Sequence, residues 1–416
     1  MKFNKWTVGL AAVGVVSLAS AARADEQMSQ VQTALTQTTL SGYVDTAMQW
    51  NPGTDANPNT GGLPGNIPHY AFAKDDGFSL NAVDIALDKP EDSSAWAAGY
   101  HVELMYGANS VGVGLSGSST SYGVPNATLR SAYIRLHTPI GGNGIDWQIG
   151  VFDSIIGYES NSDPLNPNYT RSYGYTIEPT TMTGILGTYK VNDEVSFSAG
   201  IANNDGGLGP IAPSFVKTTT TESSSTYMGS VSLTAPDSMG FLKGATMSAG
   251  VVYGTDGYIS LPPGASGFGN NTSWYLGATI PTPMTQLKLG AAFDYLMEPD
   301  FSSTDKNQGN SIWDIAGYAT YQATDKFSIN LRGEVMKDAS QGDSNVNLYP
   351  GVNGDTHQYA EEVTVTLQYN LWANVITRGE FRWDHTDDNN FGASSINGDP
   401  TRPNDFLLAL NVIYQF

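Results

Sequence analysis

The sequence has no cysteine in 416 residues, which excludes a disulfide framework and any thiolate metal site. Charge is sparse at 14%, and positive charge is sparser, with 19 Lys and Arg against 40 Asp and Glu for a net −21. An acidic chain repels polyanions, so nucleic acid is not an expected partner. After residue 24 no segment stays apolar for the roughly 20 residues that a membrane-spanning helix needs. No nucleophile elbow, HExxH or phosphate loop occurs, and His69, His101, His137, His357 and His385 are dispersed. The acid-rich stretch 384–390 lacks the ligand spacing of an EF-hand. Neither an enzyme nor a bound cofactor or metal is therefore expected; the enzymatic alternative is a barrel-rim hydrolase whose Ser/His/Asp or Asp/His site is assembled from distant loops.

What is abundant is 46 Gly, 22 Tyr and 8 Trp, the profile of many strands and turns. Lys2 and Lys5, the apolar run 8–19 and Ala22-Arg23-Ala24 read as a secretory signal peptide over 1–24, cleaved after Ala24. Its removal takes away Lys2, Lys5 and Arg23, moving the net charge from −21 to −24. Residues 25–39 read as a short periplasmic segment, too short for a plug domain, and 40–416 as one unit.

The last stretch, 404–416, organises that unit. Phe406, Leu408, Leu410, Val412, Tyr414 and Phe416 share one parity, while Asn411 and Gln415 lie on the other. So apolar an edge strand is an aggregation hazard unless closure pairs it and lipid covers it. From Leu40 onward we count sixteen candidate strands, with fourteen to eighteen compatible, joined alternately by short and long connections. Segments 182–190 and 226–234 are the weakest. This alternation predicts an all-β, antiparallel up-and-down barrel with long loops at one end and short turns at the other.

Strand 372–385 orients the faces. Val375, Thr377, Gly379, Phe381 and Trp383 oppose Arg378, Glu380, Arg382 and Asp384. A Lys or Arg on the lipid face costs about 2–4 kcal/mol near the midplane, so the charged set must face inward. Leu331 and Val335 likewise oppose Arg332 and Glu334; Val363 and Val365 oppose Glu362 and Thr366. Ile85 and Leu87 oppose Asp84 and Asp88, and Val102 and Leu104 oppose His101 and Glu103. The interior is expected to be polar and charged, and a barrel of this size encloses water. Trp50, Trp274, Trp313 and Trp383 fall at the long-loop ends, and Trp96, Trp147 and Trp372 at the short-turn ends, as two interfacial girdles would.

SGYVDTAMQW (41–50), AGYHVELMYG (98–107), RSYGYTIEPTTMTGILGTYKVND (171–193) and ITRGEFRWDHTDD (376–388), with the aromatic terminus, resemble the OmpL-like outer-membrane β-barrel porins over about 40–416. The resemblance implies a bacterial outer-membrane location among lipid and lipopolysaccharide, with the Phe416 strand read by the barrel-assembly machinery. It also implies passive passage of small hydrophilic solutes and, by analogy with porins, a homotrimer. Loop 155–180 corresponds to the place where porins fold a constriction into the lumen; its candidates are Glu159, Asp163 and Arg171. The pore-lining candidates are Asp84, Asp88, His101, Glu103 and Arg135 on one side and Arg332, Glu334, Glu362, Arg378, Glu380, Arg382 and Asp384 on the other. Neutralising Arg378 and Arg382 would then favour cations. The alternatives are a surface barrel that adheres to or recognises a partner through its loops, and a secreted soluble β protein such as a sandwich or lectin.

Overall fold

The computed structural model describes residues 37–52, 74, 76–112, 115–116, 127–203, 225–255, 270–298, 310–338, 358–387, 391 and 402–416. The signal peptide and most of segment 25–39 lie outside the described residues, as do His69 and His357. The strands are β1 (Thr39–Trp50), β2 (Gly77–Lys89), β3 (Ala97–Tyr106), β4 (Leu115–Ser116), β5 (Ala127–Thr138), β6 (Ile145–Asp153), β7 (Thr181–Lys190), β8 (Val195–Ala202) and β9 (Thr226–Thr234). They continue with β10 (Thr246–Thr255), β11 (Asn270–Pro281), β12 (Leu287–Glu298), β13 (Asn310–Gln322), β14 (Phe327–Asp338), β15 (Gln358–Trp372), β16 (Val375–Thr386) and β17 (Asn404–Gln415). The two-residue β4 only adds to the edge of β5, so sixteen strands form the wall.

Every wall strand is antiparallel to its neighbours in sequence, and β17 pairs with β1 to close the ring. The seam is tied at its end by Gly42 and Phe416, which exchange both backbone hydrogen bonds at 3.1 and 3.0 Å. Closure leaves no unpaired edge, which answers the hazard of an apolar terminal strand and excludes a sandwich.

The alternation of faces follows the sequence. Leu331, Val363, Phe381 and Leu410 are exposed on the outer surface, whereas Arg332, Glu362, Arg382 and Asn411 are buried inside. Two boundaries differ from the pattern. The strand expected from residue 242 begins at Thr246, because a 3-10 turn at Asp237–Leu242 and Gly244 at φ +76° must be completed first. Trp372 ends β15 instead of opening β16, since Asn374 at φ +66° makes the turn after it; the indole still stands exposed at the same rim.

The expectation of a polar and charged interior is corrected in one sector. Met182, Leu186, Met228, Val252 and Tyr275 point inward and form one buried apolar cluster with Phe152 and Ile156. They are shielded from water by the connection between β6 and β7, which positions the site.

Candidate functional site

Residues 154–180 turn into the barrel. The loop is pinched at its base, where the Ser154 amide donates to the Thr180 carbonyl at 3.0 Å. Its proline- and asparagine-rich first half cannot continue a strand, so side chains replace ladder bonds. The Ser160 amide donates to Asn166 Oδ1 at 2.8 Å, and Asn166 Nδ2 donates to the Ser160 and Ser162 carbonyls at 2.8 and 2.9 Å. The second half forms a one-turn helix, α1 (Tyr173–Ile177), capped where Ser172 Oγ accepts from the Tyr175 amide at 3.1 Å.

Three apolar seats receive the loop. Ile155, Ile156 and Tyr158 pack on the Met182 and Met228 cluster. Tyr173 and Ile177 pack with Leu296, Ile312 and Met336, and Tyr169 meets Leu407 and Ala409. The loop therefore leaves β6, crosses to β12–β14 and reaches β17.

Charged wall residues tie it down. Arg332 donates to Glu159 at 2.9 Å, to the Thr170 carbonyl at 2.8 Å and to Glu362 at 3.1 Å, with Glu334 at 3.7 Å. Arg382 donates to the Arg171 carbonyl at 2.7 Å and to Asp384, which also accepts from the Tyr173 hydroxyl. Arg378 donates to the Asn166 carbonyl at 2.6 Å, and Glu380 accepts from the Tyr169 and Thr170 amides at 2.5 and 2.9 Å. Within the loop, Arg171 pairs with Asp163 at 2.7 Å, and Glu159 also accepts from the Ser172 amide at 2.9 Å.

The structure thus gathers Arg332, Glu334, Glu362, Arg378, Glu380, Arg382 and Asp384 with Glu159, Asp163 and Arg171 into one buried network. The side chains of Arg332, Glu334, Glu362, Arg382 and Asp384 are fully covered by the loop. Asp88, His101, Glu103 and Arg135 form a second cluster on β2, β3 and β5, and buried Asp84 lies beside it. There Asp88 accepts from Arg135 at 2.6 Å, and His101 sits between Asp88 at 3.0 Å and Glu103 at 3.3 Å. Asp88 and Arg135 keep 18% and 19% of their side-chain surface in water, the most of any predicted wall pair.

Arg130, absent from the predicted set, bridges Glu103 at 3.1 Å and Asp153 at 2.6 Å. Alternation counted from Arg135 sends it to lipid; a bulge at Glu103/Leu104 shifts the register of β3 and β5 and turns it inward. Asp45 is also missing from that set. It sits on the inward parity of β1 and accepts from Asn81 at 2.9 Å and from Asn411. Among the described residues no group of three or more His, Asp or Glu is placed to hold a metal ion.

Glu178 caps α1 from outside the strands. Burial pushes its carboxyl up from 4.5 to about 7, with Glu159 adding to the rise against a hydrogen bond with Asp294. The seated loop therefore holds this proton more tightly than a released loop does. Seating is firmest below 4.5 and weakens as pH rises toward about 7, each tenfold difference in proton affinity being worth about 1.4 kcal/mol. Limited proteolysis of the loop is expected to speed up over that interval in the native protein and to lose its pH dependence in Glu178→Gln.

A family model described as β-barrel porin-2, OmpL-like, matches residues 37–416. The chain belongs to this family. Among curated proteins no sequence matches it. Solved structures do. The outer membrane channel DcaP of Acinetobacter baumannii is 13% identical, with a TM-score of 0.59 over 91% of this chain and 97% of that one. The anion-selective porin from Comamonas acidovorans is 12% identical, with a TM-score of 0.58 over 91% and 99%. A trimer form of Vibrio cholerae OmpT is 10% identical, with a TM-score of 0.55 over 91% and 99%. Such low identity speaks for the fold alone. Family and fold together place this OmpL-like porin in the outer membrane as a porin channel.

Proposed function

We propose that this OmpL-like porin is a passive, water-filled diffusion channel for small hydrophilic solutes, driven by the solute's own gradient. The observation that carries the reading is the inward loop, held by Arg332, Arg378 and Arg382 from the wall. A loop fixed across a lumen narrows the water column without closing the barrel. Asp88 and Arg135, which keep the most contact with water among the predicted wall residues, then act as the charge filter.

The covered arginines have a second role as tethers, so neutralising Arg378 and Arg382 would shift selectivity through the loop as well as through charge. Asp88→Asn is expected to favour anions and Arg135→Gln cations. Each should change the permeability ratio roughly two- to threefold, as about 0.5 kcal/mol from a screened charge would. Unchanged reversal potentials in both would remove the pair from the path. The wider reading includes export with cleavage after Ala24, recognition of the Phe416 strand by the assembly machinery, contact with lipopolysaccharide and a homotrimer. Liposome swelling with the purified protein tests the core of it: vesicles that stay impermeable to small sugars and salts would leave a barrel without transport.

A further inference from the structure

Beneath the loop, toward the short-turn end, a chamber of about 560 Å³ lies between loop residues 158–167 and the inward faces of β10–β15. Small-molecule pockets span roughly 300–1,000 Å³, so one or two sugar rings fit. Its wall is unlike the buried ionic network above it. Hydroxyls come from Ser248, Thr320 and Ser328; of the amides, Gln322 and Asn330 already donate to backbone carbonyls and offer their oxygens, while Gln368 Oε1 accepts from Arg378 at 3.1 Å and offers its NH2.

Hydroxyls and primary amides both donate and accept hydrogen bonds, whereas carboxylates only accept and ammonium groups only donate. A wall of this kind suits solutes whose own groups do both, which is the chemistry of a polyol. Charge points the same way. Among the described residues lining the chamber only Lys288 and Glu159 are ionic, and Glu159 is buried against Arg332 at 2.9 Å. Zwitterions and dicarboxylates would find one exposed cation and no exposed acid.

The chamber also has an aromatic plate. Tyr158 stacks on Tyr318 with 4.3 Å between ring centres and 23° between planes, and its hydroxyl is fixed to Thr279 at 3.0 Å. Gly290 makes the room, since a β-carbon there would collide with the Tyr158 hydroxyl. Tyr158 is only partly buried and lines the chamber. A sugar ring has an apolar C–H face and a rim of hydroxyls, which complement a fixed aromatic face flanked by donors and acceptors.

We propose that this chamber is a transient binding subsite for polyhydroxylated, sugar-like solutes, with Tyr158 as platform and Thr320, Ser328 and Gln368 as hydroxyl partners. The inference rests on the channel reading and deepens it by naming the solute class. Lys288 gives acidic members of the class one added contact.

Single-channel recording in potassium chloride tests it. Maltose added at the short-turn side is expected to reduce the current along a saturating curve. In Thr320→Val/Ser328→Ala the half-blocking concentration should rise about five- to tenfold, for the loss of two hydrogen bonds. Fractional block is read, so differences in absolute conductance cancel. Glucuronate should block at lower concentration than maltose, and Lys288→Met should remove that advantage. A current that falls only with solution viscosity, an equal saturating block by glycine or succinate, or an unchanged half-block in the double variant overturns the subsite and leaves the channel standing. Should the double variant fail to assemble, the native titration decides. Absence of any potassium chloride conductance overturns both readings.

Discussion

Arg332→Met is expected to release the inward loop between β6 and β7 and to destabilise the folded barrel by about 3–5 kcal/mol, the cost of breaking a buried ionic network by removing one partner. The guanidinium serves Glu159, Glu362, Glu334 and the Thr170 carbonyl at once. Methionine fills much of the volume but leaves three acids facing one another, with Arg382 committed to Asp384 at 2.7 Å. The strands have their own ladder bonds, so the loop should yield before the barrel does. The expected readout is a larger, flickering conductance, faster cleavage of the loop by added protease and a lower thermal transition in detergent. Arg332→Lys keeps the charge without the planar fork and should fall between the two. A variant with native conductance and native protease resistance would show that the apolar seats at Tyr173 and Ile177 hold the loop alone.

How far the sequence discloses this arrangement depends on the range of the interaction that decides each part. Strands are legible because their period is local: Arg378, Glu380 and Arg382 alternate with Thr377, Gly379 and Phe381 over a few residues, and only one register keeps guanidinium out of lipid. The path of the inward loop is not legible in this way. Asn168 bonds Thr366 at 2.7 Å and Tyr169 bonds Gln49 at 3.1 Å, partners far away in sequence and joined only when the ring closes. Residue types alone show that Glu159 and Arg332 could meet, not that they do.

The same limit explains the inward apolar residues. Leu407 and Ile413 sit on the parity of Asn411 and look misplaced in an aqueous lumen, yet Leu407 meets Tyr169 from the loop and Ile413 meets Tyr43 and Met105. A lumen that hosts its own loop needs apolar seats as a core does. Arg130 shows a third kind of loss, because one bulged residue reverses parity and period-two counting has no means of seeing it.

Leu410→Arg is expected to cost about 2–4 kcal/mol, because it places a guanidinium in hydrocarbon near the midplane. Leu410 is 63% exposed on the outer surface, lies midway along β17 and pairs with Met48 of β1 and with Gly379 in the body of β16. The control is Ser232→Arg, an exposed inward position paired with Ser196 and Ser248. Surface substitutions away from packed features change stability by about 0.5 kcal/mol or less, and an arginine there can reach water along the lumen. The two substitutions are chemically alike and differ in the face that receives them. Denaturant unfolding in lipid vesicles measures the difference, and heat-modifiable migration reports whether each variant closes its ring. If both arginines cost the same, the outer surface is not in contact with hydrocarbon, and the assignment of charged side chains to the lumen fails with it. If Ser232→Arg alone is costly, the faces are reversed and Arg332 with its acids would have to lie in lipid.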